Sequence, residues 1–467
     1  MRDDGPSGAP LWARASPEPF WHSTVAAAPP CPPLTSDSTC DLAIVGGGFT
    51  GLWTALKARA RWPDARIVLL EGGRCGQDAS GRTGGFCAPS ISHGVSNALA
   101  RFPAEAAELI RLGRQNLDDY VQDLSDYKME TGFQRCGKLN VAATPWQADG
   151  LDRMARHYQR FGIDCTLLTG DALRAKLDSP AYTAGLYEPN YGLINPARTV
   201  SELRRVCVEQ DIVIHEQSTV TALSKTGSHV ALKTPKAQLS AKQVVLATNA
   251  RVPLLKRLRA AFIPIYDYSL VTEPLSEDQW ASIGWSGPHG IADSGNQFHY
   301  FRKTPDNRML WAGYDAIYHY GSNRDAGNLQ RPESFARLAA QFAKAFPPLA
   351  HVRFSHAWGG IIDTSARTTF FVGRAWGGRV AYAMGFTGQG VSASRFAALT
   401  MLDLLEGADT ERTRLRMPRR WPVPFPPEPF RSMAVRRAQR DLAREDRTGH
   451  RSTFLRTLDR FGIGFDS

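Results

Sequence analysis

The feature that most constrains this chain is a glycine-rich turn between an apolar strand and an amphipathic helix, near residue 46. The run DLAIV (41–45) is short and apolar, as expected for a buried parallel strand. In FTGLWTALKARAR (49–61), apolar side chains recur at the spacing of one helix face, and Pro63 then ends the helix. A second apolar run, RIVLLE (66–71), follows. The sequence therefore predicts a β-α-β unit, the nucleus of a doubly wound α/β fold.

The turn itself, GGGFTG (46–51), fits the pattern G-x-G-x-x-G. Gly46 permits a tight turn, Gly48 lets a pyrophosphate approach the backbone, and Gly51 lets the helix pack on the strand. The helix N-terminus then offers free N–H groups and the positive end of its dipole to the phosphates. Glu71 follows Gly51 by 20 residues, where a carboxylate accepts the ribose hydroxyls and disfavours a 2′-phosphate. These residues predict bound FAD or NAD rather than NADP, against the alternative of a purely structural turn.

The segment after Glu71 favours FAD over NAD. Residues 72–86 (GGRCGQDASGRTGGF) are glycine-rich, so their backbone amides can approach a ligand without side-chain obstruction. An isoalloxazine ring needs hydrogen-bond donors along its edge, and a nicotinamide cofactor has no use for such a loop. The alternative is a flexible surface loop.

Together with two later motifs, these segments resemble the D-amino-acid oxidase-like (DAO) superfamily of FAD-dependent oxidoreductases. The later motifs are ATNA (247–250), at the end of a strand, and GFTGQGV (385–391), before a helix. The motifs follow the family's order over about residues 38–410, nearest the γ-glutamylputrescine oxidase and glycine oxidase-like branch. Thr83 and Asp78 depart from that branch, which usually has Asn and a small residue at these positions.

The resemblance implies that further parts of the chain hold the FAD. Val220 would contact the adenine, residues 247–249 would close over the ribityl-pyrophosphate region, and residues 385–391 would meet the N1–C2=O edge. The positive end of the last helix would stabilise the reduced flavin. The predicted cofactor-binding residues are Gly46, Gly48, Phe49, Thr50, Gly51, Glu71, Gly72, Arg74, Ala79, Ser80, Gly81, Arg82, Thr83, Gly84, Gly85, Phe86, Val220, Ala247, Thr248, Asn249, Gly359, Arg367, Gly385, Gly388, Gln389, Gly390 and Val391.

Residues 262–320 predict an antiparallel sheet that would cover the flavin, because aromatic and β-branched residues there alternate with turn residues. Hydride transfer from an amine needs positioning and exclusion of water, so aromatic walls are expected. Arg302 would bind a substrate carboxylate or is structural. The candidates for the substrate pocket are Tyr266, Tyr268, His299, Tyr300, Arg302, Trp358 and His93, each with a place in the core as its alternative.

The resemblance also implies the reaction: an FAD-dependent amine or amino-acid oxidase that oxidises a C–N bond of a small substrate by hydride transfer to flavin N5. The imine would be hydrolysed, and O₂ would reoxidise the flavin with release of H₂O₂. Some relatives activate oxygen with a Lys, and a rough match puts Trp311 at that position. A flavin dehydrogenase with another electron acceptor, and a flavin protein without turnover, therefore stay open. No cysteine follows Cys207, which excludes the cysteinyl flavin link that some relatives carry near residues 363–370 and predicts noncovalent FAD.

The order of motifs predicts an α/β fold, with a Rossmann-type FAD-binding domain interleaved with an α+β substrate domain built on an antiparallel sheet. The predicted divisions are an extended N-terminal arm (1–39), the FAD-binding domain (40–115, 190–260 and 355–410), the substrate domain (116–189 and 261–354), and a Pro-rich linker with a basic C-terminal helix (411–467).

The formal net charge of +11 raises the question of a nucleic-acid or membrane partner. Residues 411–467 hold 14 Arg and 7 acidic residues, so most of the charge lies in the tail and the body is close to neutral. Acidic residues interspersed among the arginines favour a solvated or docking helix. The sequence therefore predicts a small-molecule amine as partner and argues against nucleic acid, with a tRNA-amine-modifying oxidase as the alternative.

Location is inferred from the cysteines and the N-terminus. Seven cysteines are scattered between residues 31 and 207 without a C-x-x-C pair or zinc-like spacing, so no metal site is expected. The start, MRDDGPSGAP, lacks the basic-then-apolar order of a signal peptide. No stretch approaches the ~18 uninterrupted apolar residues of a membrane span. The prediction is a cytoplasmic protein with reduced thiols.

Overall fold

The computed structural model describes residues 9–464, which form two eight-stranded sheets and a small three-stranded one. The strands of this part are β1 (Ser38–Val45), β2 (Ile67–Leu70), β3 (Phe86–Cys87), β4 (Gln134–Arg135), β5 (Lys138–Ala142), β6 (Thr166–Thr169), β7 (Ala184–Glu188), β8 (Gly192–Leu193), β9 (Val213–His215), β10 (Ala222–Thr226), β11 (His229–Lys233), β12 (Gln238–Leu246), β13 (Phe262–Thr272), β14 (Gly290–Asp293), β15 (His299–Lys303), β16 (Met309–Gly313), β17 (Phe354–Ser365), β18 (Phe371–Ala375) and β19 (Val380–Met384). Its α-helices are α1 (Phe49–Arg61), α2 (Ala79–Arg82), α3 (Val95–Arg101), α4 (Ala106–Asp126), α5 (Pro145–Arg160), α6 (Gly170–Arg174), α7 (Pro196–Glu209), α8 (Glu277–Ala281), α9 (Pro332–Ala345), α10 (Gly390–Glu406), α11 (Glu411–Arg414), α12 (Arg416–Arg419), α13 (Phe430–Thr448) and α14 (Thr453–Arg460).

The first large sheet carries the predicted β-α-β unit. Its strand order is β10-β11-β12-β1-β2-β9, and β19 pairs with β12 and with β18. The central pairs β12–β1, β1–β2 and β2–β9 are parallel, as helical crossovers require. Helix α1 connects β1 to β2 and buries Leu52, Trp53 and Leu56. The predicted Rossmann-type domain is therefore present.

The second large sheet has the order β17-β13-β16-β15-β14-β5-β7-β6 and is antiparallel except for the β14–β5 pair. Helix α9 covers one of its faces, where Trp311, Phe301 and Phe342 pack in a common core. Two separate stretches of the chain, 138–188 and 262–365, build this sheet. The interleaved α/β and α+β fold predicted from the sequence is confirmed.

Two segments cross the predicted domain divisions. Strand β17 pairs with β13 over nearly its whole length, so residues 355–365 belong to the second sheet, although the sequence division assigned them to the FAD-binding domain. Helix α4 runs through the division at residues 115/116. It packs on α10, where Arg395 Nε donates to Asp123 at 2.5 Å. Strand pairing and helix packing at both places depend on partners distant in sequence.

The N-terminal arm lies across both sheets, with its first eight residues outside the described part. Ser16 N donates to Ser355 O at 2.8 Å, which adds the arm to the edge of β17. The side chains of Phe20 and Trp21 are buried. Trp21 Nε1 donates to Thr83 O at 2.9 Å, and Thr83 lies in the glycine-rich segment that follows Glu71. The arm therefore contacts the glycine-rich segment that the sequence assigns to the flavin.

The last described residues turn back onto the body. After α12 the chain is extended, and α13 and α14 follow it. Among residues 9–464, every helix is too short or too polar to cross a bilayer.

Candidate functional site

A cavity of about 1570 Å³ lies between the first sheet and the uncovered face of the second. Its volume exceeds the ~300–1,000 Å³ typical of small-molecule sites, which is consistent with room for a dinucleotide and a substrate together. One end is lined by the turn after β1 and by the residue that ends β2, and the other end by the turn before α10. Ligands of open α/β sheets bind at the carboxyl ends of parallel strands, as here.

The turn after β1 can be built only with glycine. Gly46 has φ +113°, and a Cβ there would lie 2.3 Å from Ala247 O. A Cβ on Gly51 would lie 1.8 Å from Gly46 O, because the first turn of α1 passes directly over the loop. The three glycines therefore bring the N-terminus of α1 against the cavity, where a pyrophosphate would meet its amides.

The ribose end is formed by Glu71. Its carboxylate accepts from Gly47 N at 2.6 Å and from Gly73 N at 2.8 Å, and it lines the cavity. Burial raises the pKa of Glu71, although these two N–H groups oppose the shift. The side chain is held by backbone on both sides, so it is oriented before any ligand arrives.

The flavin end is organised by a buried carboxylate that the sequence analysis did not single out. Asp363, near the end of β17, accepts from Gly385 N at 2.5 Å and from Phe386 N at 3.1 Å. Burial raises its pKa to about 7, against the effect of those hydrogen bonds. Thr387 N donates to Asp363 O at 3.1 Å. Asp363 therefore fixes the turn that leads into α10.

Buried polar atoms without partners in the described part of the chain test whether FAD fits this cavity. Thr248 Oγ1 and Gln389 Oε1 are both buried, line the cavity and have no hydrogen-bond partner among residues 9–464. Gln389 is the N-cap of α10 and makes no side-chain cap. A buried polar atom left unsatisfied costs ~1–3 kcal/mol. These unpartnered polar atoms at the two ends of the cavity, together with the N-termini of α1 and α10, fit the phosphates and the ring edge of FAD.

The structure brings most of the predicted cofactor residues to this cavity. Those that line it are Gly46, Gly48, Phe49, Thr50, Glu71, Gly72, Arg74, Ala79, Ser80, Arg82, Thr83, Gly84, Phe86, Val220, Ala247, Thr248, Asn249, Gly388, Gln389, Gly390 and Val391. The remaining six do not line it: Gly51, Gly81, Gly85, Gly359, Arg367 and Gly385.

The five glycines of that second group are packing positions. A Cβ at Gly81 would lie 2.2 Å from Gly76 O, and one at Gly85 would lie 2.5 Å from Ile194 O. Arg367 contacts neither the cavity nor Asp363 in the described structure. Its Nη2 donates to Arg420 O, and burial lowers its pKa to about 10. The expected position of Arg367 beside the flavin is therefore not observed.

The uncovered face of the second sheet presents alternate residues to the cavity. On β13 these are Ile263, Ile265, Asp267 and Ser269. Tyr300 on β15 joins them, and its hydroxyl donates to Asp267 Oδ2 at 2.7 Å. Burial raises the pKa of Asp267 to about 6, while the hydrogen bonds from Tyr300 and from Tyr268 N lower it. Asp267 is thus a hydrogen-bonded carboxylate that this face offers to a ligand.

Of the predicted substrate-pocket residues, the structure brings only Tyr300 and His93 to the cavity. Tyr266 and Tyr268 alternate with Asp267 along β13 and so point to the opposite face, toward α9. Their hydroxyls donate to the backbone of residues 323–328. His299 neighbours Tyr300 and likewise faces away, with Nδ1 2.6 Å from Asp293 Oδ2. These three side chains belong to the core.

Arg302 and Trp358 donate to backbone carbonyl groups and do not line the cavity. Arg302 Nη1 donates to Ile194 O at 2.7 Å, and its guanidinium lies 5.1 Å from the Trp21 ring centroid. Trp358 Nε1 donates to Arg82 O at 3.1 Å. Neither side chain lines the cavity, so the carboxylate-binding reading of Arg302 gives way to its structural alternative.

The wall next to the flavin end contains a lysine that the sequence analysis missed. Trp311, matched there to an oxygen-activating Lys, faces α9 and donates to Leu338 O at 3.1 Å. Lys138 on β5 instead lines the cavity, opposite Glu188 in the register of β5 and β7. Burial lowers the pKa of Lys138 to about 8, and burial raises that of Glu188 to about 7.

His93 connects this wall to the turn before α10. Its Nε2 donates to Thr387 O at 2.9 Å, because a carbonyl can only accept. Burial lowers the pKa of His93 to about 4, and the charge of Lys138 adds to that effect. His93 is therefore a neutral imidazole near neutral pH. Its hydrogen bond links the wall that contains Lys138 to the turn before α10.

The C-terminal tail also lines the cavity, which the sequence division into linker and basic helix did not anticipate. Contributing residues come from α13, α14 and their flanks: Phe425, Val435, Ala438, Gln439, Leu442, Glu445, Arg451, Leu455, Leu458, Ile463 and Gly464. The spacing of Val435, Ala438 and Leu442 marks one face of α13. The tail is part of the site.

Comparison with known proteins identifies the family. The family model described as "FAD dependent oxidoreductase" (DAO) matches residues 41–404. The chain belongs to this family. It is therefore an FAD-dependent oxidoreductase related to amine and amino-acid oxidases, as the motifs predicted.

Individual DAO relatives are distant. The chain is 29% identical over 390 residues to γ-glutamylputrescine oxidoreductase of Escherichia coli, covering 81% of this chain and 86% of that protein. It is 27% identical over 386 residues to the probable oxidoreductase OrdL of Haemophilus influenzae, covering 81% and 85%. Its fold is similar to that of glycine oxidase from Geobacillus kaustophilus, with a TM-score of 0.66 at 19% identity, over 80% of this chain and 96% of that one.

Proposed function

We propose that this chain oxidises a C–N bond of a small amine or amino acid and that O₂ is the electron acceptor. The observation that carries the proposal is the Asp267–Tyr300 pair on the cavity face of the second sheet. A carboxylate in a buried cavity attracts a cationic amine, since the two charges interact strongly away from water. The names of the relatives, an amine oxidoreductase and a glycine oxidase, are consistent with such a substrate.

Each residue has a defined part in this proposal. Asp267 binds the substrate's amino group, and the Tyr300 hydroxyl fixes the orientation of that carboxylate. Asp363 holds the turn before α10, so that the amides of Gly390 and Val391 can meet the flavin ring edge. Ile263 and Ile265 keep the wall of β13 apolar and exclude water.

When bound, FAD would supply the redox chemistry: after the ammonium has lost one proton, the carbon next to the neutral nitrogen could transfer a hydride to the flavin, and O₂ with one proton would take up the electron pair as H₂O₂. The released imine adds water and separates into a carbonyl compound and ammonia or a smaller amine. Lys138 supports the choice of O₂, because a cation near the flavin end stabilises the negative charge that develops on reducing oxygen. The tail over the cavity supports a small molecule rather than a tRNA substrate.

Anaerobic mixing of the purified holoenzyme with amines tests the first half of the reaction. We expect loss of the oxidised flavin absorbance with at least one primary amine, secondary amine or amino acid. The matched N-acetyl compounds, which have no basic nitrogen, should leave the spectrum unchanged. If no basic amine bleaches the flavin, the proposal of amine oxidation is wrong.

Peroxide measurement tests the second half. Under air, one H₂O₂ should form for each imine hydrolysed, without an added acceptor. If the reduced flavin persists under air but is reoxidised by an artificial acceptor, the protein is a dehydrogenase and the choice of O₂ is wrong.

A further inference from the structure

The C-terminal segment, residues 425–464, crosses the cavity and is attached on both sides of it. At its start, Phe425 N donates to Ala260 O at 2.7 Å. In α13, Asp446 accepts from Asn296 N at 2.7 Å, in the loop after β14. At its end, Gly464 N donates to Ala366 O at 3.0 Å, in the turn after β17. The segment therefore bridges the two sides of the cavity.

Helix α13 turns an apolar face to the cavity and a basic face to solvent. Val435, Ala438 and Leu442 line the cavity. Arginines on the other side, Arg444 and Arg447 among them, are exposed. The charge that dominates the tail in the sequence thus lies on the surface away from the cavity.

The polar side chains of this wall are already engaged within the protein. Glu445 Oε2 lies 2.8 Å from Arg451 Nη1, and Arg451 Nε lies 2.6 Å from Asp459 Oδ2. Gln439 Nε2 donates to Ala316 O. The other side chains that this segment presents to the cavity are apolar, and α5 adds Met154 on its own side of the cavity.

The segment also lies outside the matched family region, which ends at residue 404. The residues assigned to FAD and to the amino group all precede that point. A wall formed by later residues can change the shape of the part of the cavity that holds the substrate, without contacting the reacting atoms. Binding of the reacting group and selection of the rest of the substrate are therefore on different parts of the chain.

From this geometry we infer that residues 425–464 select the substrate: they form the wall against which the non-reacting carbon chain of an extended aliphatic or arylalkyl amine packs. The inference rests on the proposed amine oxidation for the reacting group only. It names α13 as the specificity-determining element and Leu442, the last and largest residue of its apolar face, as the residue on which chain-length preference depends.

The test is a Leu442→Trp variant assayed with a series of n-alkylamines and phenylalkylamines, by anaerobic flavin bleaching of the holoenzyme. The larger side chain should lower the specificity for the longest accepted amines by about ten-fold or more, since each methylene in such a pocket changes specificity by ~10-fold or more. The shortest accepted amine should change by less than about two-fold. Leu442→Ala should shift the preference toward longer chains, which keeps the test decisive if the Trp variant does not fold.

Arg444→Trp is the matched control, because it places the same side chain two residues along the same helix on its solvent side. It should leave the whole series unchanged, with flavin content equal to that of the wild type. Equal effects of Leu442→Trp and Arg444→Trp, or a loss that is uniform over all chain lengths, would overturn the inference.

Binding of hexanamide separates this inference from the proposed reaction. This compound has an apolar chain but no basic amine, and its binding is read from the perturbed flavin spectrum without turnover. We expect binding that Leu442→Trp weakens and Arg444→Trp preserves, even if no amine reduces the flavin. A wild-type protein that neither binds hexanamide nor distinguishes amines by chain length contradicts the role of the segment.

Discussion

The Tyr300 hydroxyl donates a 2.7 Å hydrogen bond to the Asp267 carboxylate across the cavity face of the second sheet. Tyr268 N donates to the other carboxylate oxygen at 2.8 Å. Both oxygens are thus held, one by a side chain and one by the backbone. The half-buried carboxylate therefore keeps a fixed direction toward the cavity.

Replacing Asp267 with Asn should lower kcat/KM for amines by ~10–100-fold, because a hydrogen bond to a charged group contributes ~1.5–3 kcal/mol. The side-chain volume stays nearly the same, so flavin content should not change. Tyr268→Phe is the control, since its ring lies on the other face and its hydroxyl donates to Asn328 O. Equal losses in both variants would place the effect in the sheet's packing.

The pH dependence of the same step follows from the pKa of Asp267, which burial raises to about 6. The ionised form binds the amine and exists above that pKa. We therefore expect kcat/KM to rise through about pH 6, and this rise should be missing in Asp267→Asn. A wild-type profile that is flat between about pH 5 and 7 would contradict the assigned role.

Asp363→Ala removes the acceptor of two backbone N–H groups at the flavin end. Each buried N–H left unsatisfied costs ~1–3 kcal/mol, so both the melting temperature and the FAD affinity should fall. They can be measured by thermal unfolding and by titration of the apoprotein with FAD. Asp409→Ala, at an exposed carboxylate that pairs only with Arg414 in the described structure, should change neither.

The stability of the wild type relative to Asp363→Ala should also depend on pH. Because burial raises the folded-state pKa of Asp363 to about 7, the folded protein binds this proton more tightly than the unfolded chain. Its contribution is fully present below the unfolded value near ~4, and it is lost as the pH rises through about 7. The difference in melting temperature should therefore widen from pH 8 to pH 5, and a constant difference would argue against this pKa.

Trp21→Ala tests the attachment of the N-terminal arm. Trp21 is 0% exposed, and its indole N–H donates to Thr83 O. We expect a loss of ~3–5 kcal/mol in the free energy of unfolding, together with weaker FAD retention. Trp421→Ala removes a tryptophan that is 42% exposed and should cost much less. Denaturant titration of both variants measures the difference.

Lys138→Met should slow the reaction of the reduced enzyme with O₂ by ~10–100-fold. The variant lacks a cation that stabilises the negative charge developing on oxygen, an effect of a few kcal/mol. Stopped-flow mixing of photoreduced enzyme with O₂ measures this rate. Reoxidation by an artificial acceptor should change little. Lys344→Met, on the solvent side of α9, serves as the control. Unchanged reoxidation of Lys138→Met by O₂ would remove the lysine from the oxidative step.

The dinucleotide turn could be predicted from the sequence because all its parts are local. Gly46 and Gly51 are five residues apart, and the clash that forbids a Cβ on Gly51 involves the carbonyl of Gly46 itself. Glu71 directly follows β2, the next strand along the chain. Strand, turn, helix and acid therefore follow one another in the chain as they do in space.

The substrate side of the cavity could not be predicted in the same way. Alternation of side chains along a strand shows which residues share a face of the sheet, but not which face a helix covers. Tyr266 and Tyr268 were expected in the pocket, yet α9, some seventy residues later, packs on their face and leaves Asp267 to the cavity. The signal available in the sequence was Asp267 itself, a single acidic residue within an apolar strand. Leu442 likewise shows its helical spacing in the sequence, but its neighbours across the cavity come from distant segments.

The order of elements along the chain also determines when the C-terminal segment is synthesised relative to the rest of the site. The dinucleotide sheet is complete at α10, which ends at Glu406, whereas the wall over the cavity begins only at Phe425. Chains are synthesised and fold from the N-terminus. The residues that line the cofactor end of the cavity are therefore all synthesised before those of its cover.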